Sequence, residues 1–263
     1  MTTRVESVDM SLFDADRPLR VVVFFSGSAS GFRYLATTDD RYGDAYRVVG
    51  GFTDDADCSG VEHLENHGVP VVSSDIDAFY AERGAETGNM EVRTAYDEHT
   101  RELIEGFDAD LVLLSGYMWI LTDPILESYP VINVHPADLT IDDEDGDRVY
   151  VGADPVYDAI VTGETETRSS VHAVTADVDA GPVLVRSKPF EVHRPLVDGL
   201  IEFGADDALR DYVDAHQEWM KWEGDGPAIA RALQLIATGR VELDGETALI
   251  DGEPGPYDLD ETR

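Results

Sequence analysis

Five short apolar runs, LRVVVFFSG, YRVVGGFTD, VPVVSSD, ADLVLLSGY and VINVH, recur through the first half of the chain, and helix-forming segments separate them. This alternation constrains the fold more than any other feature. A run without a polar face belongs to a strand covered on both sides, which is the environment of a parallel sheet. Between the runs, FRYLATT starts a helix, CSGVEHLENHG forms one closed by Gly68, EVRTAYDEHTRELIEGF spaces its apolar residues at helical intervals, and DPILESY is a short helix with Asp123 as its cap. The connections are short, as parallel strand–helix–strand units require. The expected architecture is therefore α/β, a doubly wound, mostly parallel, Rossmann-like sheet.

After His135 the pattern changes. TIDDEDGDRVYVG is too acidic for a core element and reads as an exposed loop, DPVYDAIVTGE restores a helix, and SSVHAVT and PVLVRSKPFEV read as strands around the turn ADVDAGP. One or two helices are expected between Pro195 and Thr238, then a small β-hairpin over residues 240–251 turning at Asp244-Gly245. These elements divide the chain into an N-terminal extension (1–19), one folded unit (20–256, including the C-terminal helices and hairpin) and a tail (257–263).

Charge and composition narrow the function classes. The chain has 55 acidic and 19 basic side chains, a net charge of -36, yet 43% apolar residues, so it carries enough material for a core while its surface repels phosphate backbones and anionic lipid. No nucleic acid or membrane partner is expected. One cysteine, Cys58, excludes an internal disulfide framework and a cysteine-rich zinc site, and no metal is expected. No run is long and apolar enough for a signal peptide or a membrane span, which places the protein in the cytoplasm. The spread of acidic residues points to a halophilic source, where salt screens their repulsion.

Open parallel sheets hold ligands at the carboxyl ends of their strands. Three features fall there. FSGSASGF follows the first strand, and its glycines and serines suit an anion at a helix start. In PVINVHPADL, Asn133 and His135 are two apart on a strand, so they share a face, while Val131, Ile132 and Val134 anchor it. Asp179 lies in the turn DVDAGP. Taken singly, each also fits a structural role: a tight turn, a satisfied histidine, an aspartate serving its own backbone.

Together these motifs resemble the folate-dependent glycinamide ribonucleotide formyltransferases. SGSAS matches the family's Ser-Gly phosphate loop, LVLLSGYMWIL its VVLAGFMRIL, INVHPADL its INIHPSLL, and SVHAV through DAGPV its SVHFV through DGGPI; the hairpin also agrees, so the likeness runs from about Leu19 to Pro256. The resemblance implies the formyltransferase fold and transfer of a formyl group from 10-formyltetrahydrofolate to a primary amine, glycinamide ribonucleotide in purine biosynthesis. It implies Asn133, His135 and Asp179 as the catalytic set, with Asn133 and a protonated His135 donating to the developing oxyanion and Asp179 moving protons through water. It further assigns Tyr117, Met118, Trp119, Ile120 and Leu121, with Ala176, Val178 and Gly181, to the folate slot, and Gly27, Ser28, Ala29, Ser30, Gly31 and Glu218 to the acceptor. A monomer or homodimer binding only folate and a small amine is implied. Some positions depart from the family: the loop lacks the Gly-x-Gly-Ser-Asn pattern, Trp119 replaces arginine, Trp219 replaces histidine, and an acidic segment follows the Asn-x-His strand. These leave open another amine acceptor such as an amino-sugar nucleotide, a formyltetrahydrofolate hydrolase, and a non-catalytic folate-binding homologue.

Overall fold

The computed structural model describes residues 17–245 and 247–259. In chain order, β1 (Leu19–Phe25) leads to α1 (Ser30–Thr37), β2 (Tyr46–Thr53) to α2 (Ser59–Asn66), and β3 (Val71–Ser73) to α3 (Ile76–Glu82) and α4 (Met90–Ile104). Then β4 (Leu111–Leu114), α5 (Asp123–Leu126) and β5 (Val131–His135) complete a parallel half. The second half holds α6 (Pro155–Thr162), β6 (Glu166–Thr167), β7 (Ser170–Ala173), β8 (Val183–Arg186) and β9 (Phe190–Glu191). It continues with α7 (Arg194–Glu202), α8 (Asp206–Met220), a π-helical turn Lys221–Asp225 and α9 (Gly226–Ala237), and ends in β10 (Val241–Asp244), β11 (Thr247–Ile250), β12 (Glu253–Pro254) and β13 (Tyr257–Asp258).

Eight strands form the main sheet in the order β13-β8-β7-β5-β4-β1-β2-β3. Only the β5–β7 and β7–β8 pairs are antiparallel within it. In β1, Val21, Val23 and Phe25 pack into one apolar cluster with α1 and α9, whereas Val22 and Phe24 pack into the opposite one with Phe52, Tyr96 and Ile125. Both faces of the strand are dry, which is why its sequence reads as an unbroken apolar run.

Several boundaries differ from the sequence reading, each for a local reason. The sheet begins at Leu19 and takes in Tyr257–Asp258, which pair with Val185 and Arg186, so it reaches beyond 20–256 at both ends. Helix α3 lies outside the elements expected from the sequence, and Asp75 caps it by accepting the Ala78 N–H at 2.9 Å. The segment PVLVRSKPFEV divides, because Phe190–Glu191 leave the main sheet to pair with β6. Three α-helices, not one or two, fill the stretch before the hairpin; α7 ends near Gly204, whose φ of +63° suits glycine. The hairpin itself forms between β10 and β11. Finally, the N-cap of α5 is Thr122, and Asp123 lies in its first turn.

Thr122 is drawn off by a buried carboxylate. Asp97 of α4 accepts both the backbone N–H and the hydroxyl of Thr122 at 2.7 Å, and its other oxygen pairs with Arg93. Arg93 in turn donates through Nε to Ile120 O at 2.9 Å. The segment after β4 is thereby tied to α4 by an ion pair almost without solvent contact. Removing one partner strands the other's charge, so Asp97→Ala should lower unfolding free energy by about 3–5 kcal/mol. Urea denaturation measures the loss, and a change within about 0.5 kcal/mol, the scale of a surface substitution, would show the pair is dispensable.

Candidate active site

The strand order 3-2-1-4-5 places a topological switch between β1 and β4, where the following loops part to opposite sides and open a crevice. The two loops are stitched together at its floor. Ser26 N–H donates to Gly116 O at 3.0 Å, and Met118 N–H donates to Ser26 Oγ at 3.2 Å. A cleft of about 620 Å³ lies above them, the size of a small-molecule site.

Asn133, His135 and Asp179 converge on this cleft. His135 is 4% exposed; its Nε2–H donates to Tyr150 O at 2.8 Å, which leaves Nδ1 facing Asp179 Oδ2 at 3.5 Å. Asp179 adopts a left-handed backbone (φ +52°), which aspartate tolerates, and Gly152 N–H donates to its Oδ2 at 3.0 Å. A second imidazole completes the group. In the β5–β7 register His172 lies opposite Asn133, and its Nδ1–H donates to Ala173 O at 2.9 Å. Its Nε2 is 3.2 Å from Asn133 Nδ2 and 3.5 Å from Asp179 Oδ1. That atom accepts from the amide when bare and donates to the carboxylate when protonated.

The electrostatics correct one expectation. Burial pushes the His135 pKa below 6.5, outweighing the nearby Asp179 charge, so the resting imidazole is neutral rather than the expected imidazolium. For Asp179, burial works upward, but the His172 hydrogen bond, the His135 field and the Gly152 N–H hold it down at about 2. The site therefore pairs a bare nitrogen with a permanent anion.

The acidic loop is part of this scaffold. Asp142, Asp143, Glu144, Asp145 and Asp147 face solvent as expected, yet Arg148 reaches back to donate to Asp179 O and, at 2.9 Å, to Gly181 O. Tyr150 and Gly152 supply the contacts to His135 and Asp179. None of Arg148, Tyr150, Gly152 or His172 was singled out in the sequence, because their roles arise from chain crossings rather than spacing.

Tyr117 through Leu121, with Ala176 and Val178, line the cleft; Met118, Ile120 and Val178 are well exposed, and Trp119 Nε1–H donates to Asp54 Oδ2 at 2.7 Å. Gly181 does not line it. A Cβ there would meet Ala173 O at 1.8 Å, so Gly181 lets the turn pack on β7. Gly27, Ser28, Ala29 and Ser30 line the cleft as well. Ala29 holds the left-handed turn (φ +48°) that glycine adopts without strain, at a cost of roughly 1–2 kcal/mol. Gly31 lies below the wall, where its N–H donates to Ser115 Oγ at 3.2 Å and a side chain would strike Ile229. Glu218 also lies off the wall: it is exposed and paired with Lys221, and the helical face turned to the cleft carries Gln217 and Lys221 instead.

Residues 19–194 match the family Formyl transferase. The chain belongs to the formyl transferase family. It is 28% identical over 174 residues to the phosphoribosylglycinamide formyltransferase of Escherichia coli (strain K12), covering 65% of this chain and 72% of that protein. It is 26% identical over 233 residues to the trifunctional purine biosynthetic protein adenosine-3 of Bos taurus, covering 88% of this chain but only 19% of that longer protein. Among solved structures, glycinamide ribonucleotide transformylase 1 from Symbiobacterium toebii superposes with a TM-score of 0.68 over 89% of this chain and 94% of that one, at 24% identity. This formyl transferase thus shares the fold of the last protein across nearly its whole described length. Among the described residues no helix is long and apolar enough to cross a membrane.

Asp225 also faces the cleft, from the π-helical turn, and burial raises its pKa to about 6 despite the Ser169 hydrogen bond. A raised folded value favours the native state below the unfolded pKa of 3.8, and that benefit is lost as pH climbs through about 6. Asp225→Asn should therefore be more stable than the wild type at pH 8 by about 1–3 kcal/mol, and no more stable at pH 4. Thermal melts at both values test this; an equal or lower melting point at pH 8 would refute it.

Proposed function

We propose that this protein transfers the formyl group of 10-formyltetrahydrofolate to the primary amine of glycinamide ribonucleotide. The observation that carries the reading is the meeting of Asn133, His135 and Asp179, from two separate elements, at one wall of the cleft. The apolar end, Tyr117–Leu121 with Ala176 and Val178, suits the flat pterin ring of the donor. The loop Gly27–Ser30 at the start of α1 suits the acceptor's phosphate, since unpaired N–H groups and the helix dipole favour an anion.

Between these ends the amine nitrogen attacks the formyl carbon, and the carbonyl electrons move to oxygen. Asn133 Nδ2 has two N–H groups; one meets His172, and the other is left for this oxyanion. The attacking nitrogen then sheds a proton to the bare Nδ1 of His135, and Asp179 stabilises the imidazolium that forms. As the bond from carbon to the folate nitrogen breaks, that nitrogen regains a proton, which Asp179 and water relay. The products are the formylated amine and tetrahydrofolate, with every proton accounted for.

His135→Ala and Asp179→Asn should each lower kcat by about 10²–10⁴ in an assay of tetrahydrofolate release. Because the net charge is -36, that assay belongs in molar salt, where we expect the fold to be most stable. Tetrahydrofolate release that ignores the amine would instead mark a hydrolase. Imidazole NMR adds a test of sign. The His135 midpoint should lie below 6.5 and fall further in Asp179→Asn, since the carboxylate is what raises it. A midpoint at or above 6.5 would contradict the neutral base.

A further inference from the structure

The loop between β1 and α1 has its peptide units turned by a neighbouring helix. Gly27 O accepts the Gly60 N–H at 3.0 Å, and Ser28 O lies 3.1 Å from His63 Nδ1, both donors belonging to α2. A carbonyl only accepts, so Nδ1 of His63 carries a proton. The next carbonyl, Ala29 O, takes the Arg33 N–H at 3.2 Å. Three consecutive carbonyls are therefore occupied, whereas the N–H groups of Ser28, Ala29 and Ser30 make no hydrogen bond among the described residues.

A trans peptide unit points its carbonyl and its N–H in opposite directions, so holding Gly27 O aims the Ser28 N–H, and holding Ser28 O aims the Ala29 N–H. The second of these is under tension. Ala29 keeps a left-handed backbone (φ +48°, ψ +46°), which a residue with a side chain retains only where its surroundings over-determine it. Turning over the Ser28–Ala29 peptide would carry φ of Ala29 back to negative values, and the bond from His63 opposes that turn. Helix α2 comes near enough because position 60 is glycine: a Cβ there would fall 2.6 Å from Gly27 O and equally near the Phe25 ring. One turn after His63, the His67 ring meets Phe32 of α1 edge-on, with centroids 5.5 Å apart, which seats the helix against the loop.

Resting on the formyl-transfer reading, we propose that His63 is a positioning residue for the acceptor, holding Ser28 O toward α2 so that the loop N–H groups stay presented to an anionic group in the cleft. Gly60 does the same for Gly27 O. The N–H groups of consecutive residues then form a preset anion-binding concavity, although the loop holds an alanine at its left-handed position.

The test compares glycinamide ribonucleotide with its dephosphorylated riboside, using 10-formyltetrahydrofolate and the full chain. His63→Phe keeps a ring but has no donor; it should raise KM for the ribonucleotide about tenfold, with kcat within about threefold and the donor KM unchanged. In the same variant kcat/KM for the riboside should stay at the wild-type value, since the loss is confined to the anion. His63→Asn, whose amide N–H can stand in for Nδ1–H, should return the ribonucleotide KM to within about threefold of wild type. Should the phenylalanine variant fail to fold, His63→Ala carries the same comparison. A ribonucleotide KM indifferent to the donor, or a riboside kcat/KM that falls in parallel, would overturn this proposal alone. A folded wild type that formylates neither amine would overturn the functional reading, and this proposal with it.

Discussion

One buried carboxylate organises the active site. Asp179 draws in His135 and His172 from two different strands, takes the Gly152 N–H, and is itself held through its backbone by Arg148. A charge placed at 10% side-chain exposure needs polar partners, and here the Gly152 N–H, the two imidazoles and the Arg148 guanidinium that holds the turn come from different parts of the chain. The need to satisfy that one anion therefore fixes β5, β7, the acidic loop and the Asp-Ala-Gly-Pro turn relative to one another. The same interactions keep Asp179 ionised beside a neutral imidazole.

A second desolvated carboxylate repeats this logic in the segment after β4. Asp97 holds that segment through Thr122 and Arg93, so its backbone hangs from α4 rather than floating as a loop. Asp225, on the π-helical turn that also lines the cleft, is buried as well and accepts a hydrogen bond from Ser169. Against a surface so rich in carboxylates, what separates them is dehydration.

Much of the sheet was legible because its signals are local. Apolar runs, helical spacing and turn residues at Gly68 and Gly245 marked most elements of the main sheet and the hairpin correctly. Where the reading failed, a competing interaction decided the outcome. Thr122 is the N-cap residue of α5 yet makes no side-chain cap bond, since Asp97 holds its hydroxyl, and Phe190–Glu191 leave the main sheet to pair with β6. Within the site, the period of two placed Asn133 and His135 together, whereas Glu218 missed the cleft because a helix turns about 100° per residue and presents Gln217 and Lys221.

By itself the sequence determined a two-sided parallel sheet, the strand-end pair Asn133 and His135, and the ordered set of motifs that marks a formyl transferase, all carried by contiguous residues. Only the tertiary structure decided that His172 faces Asn133, that the acidic loop clasps Asp179, that His135 rests neutral, and that Asp225 looks into the cleft. Periodicity and propensity act within a few residues along the chain. Burial and charge pairing are properties of neighbours in space, and they exist only once the chain has folded.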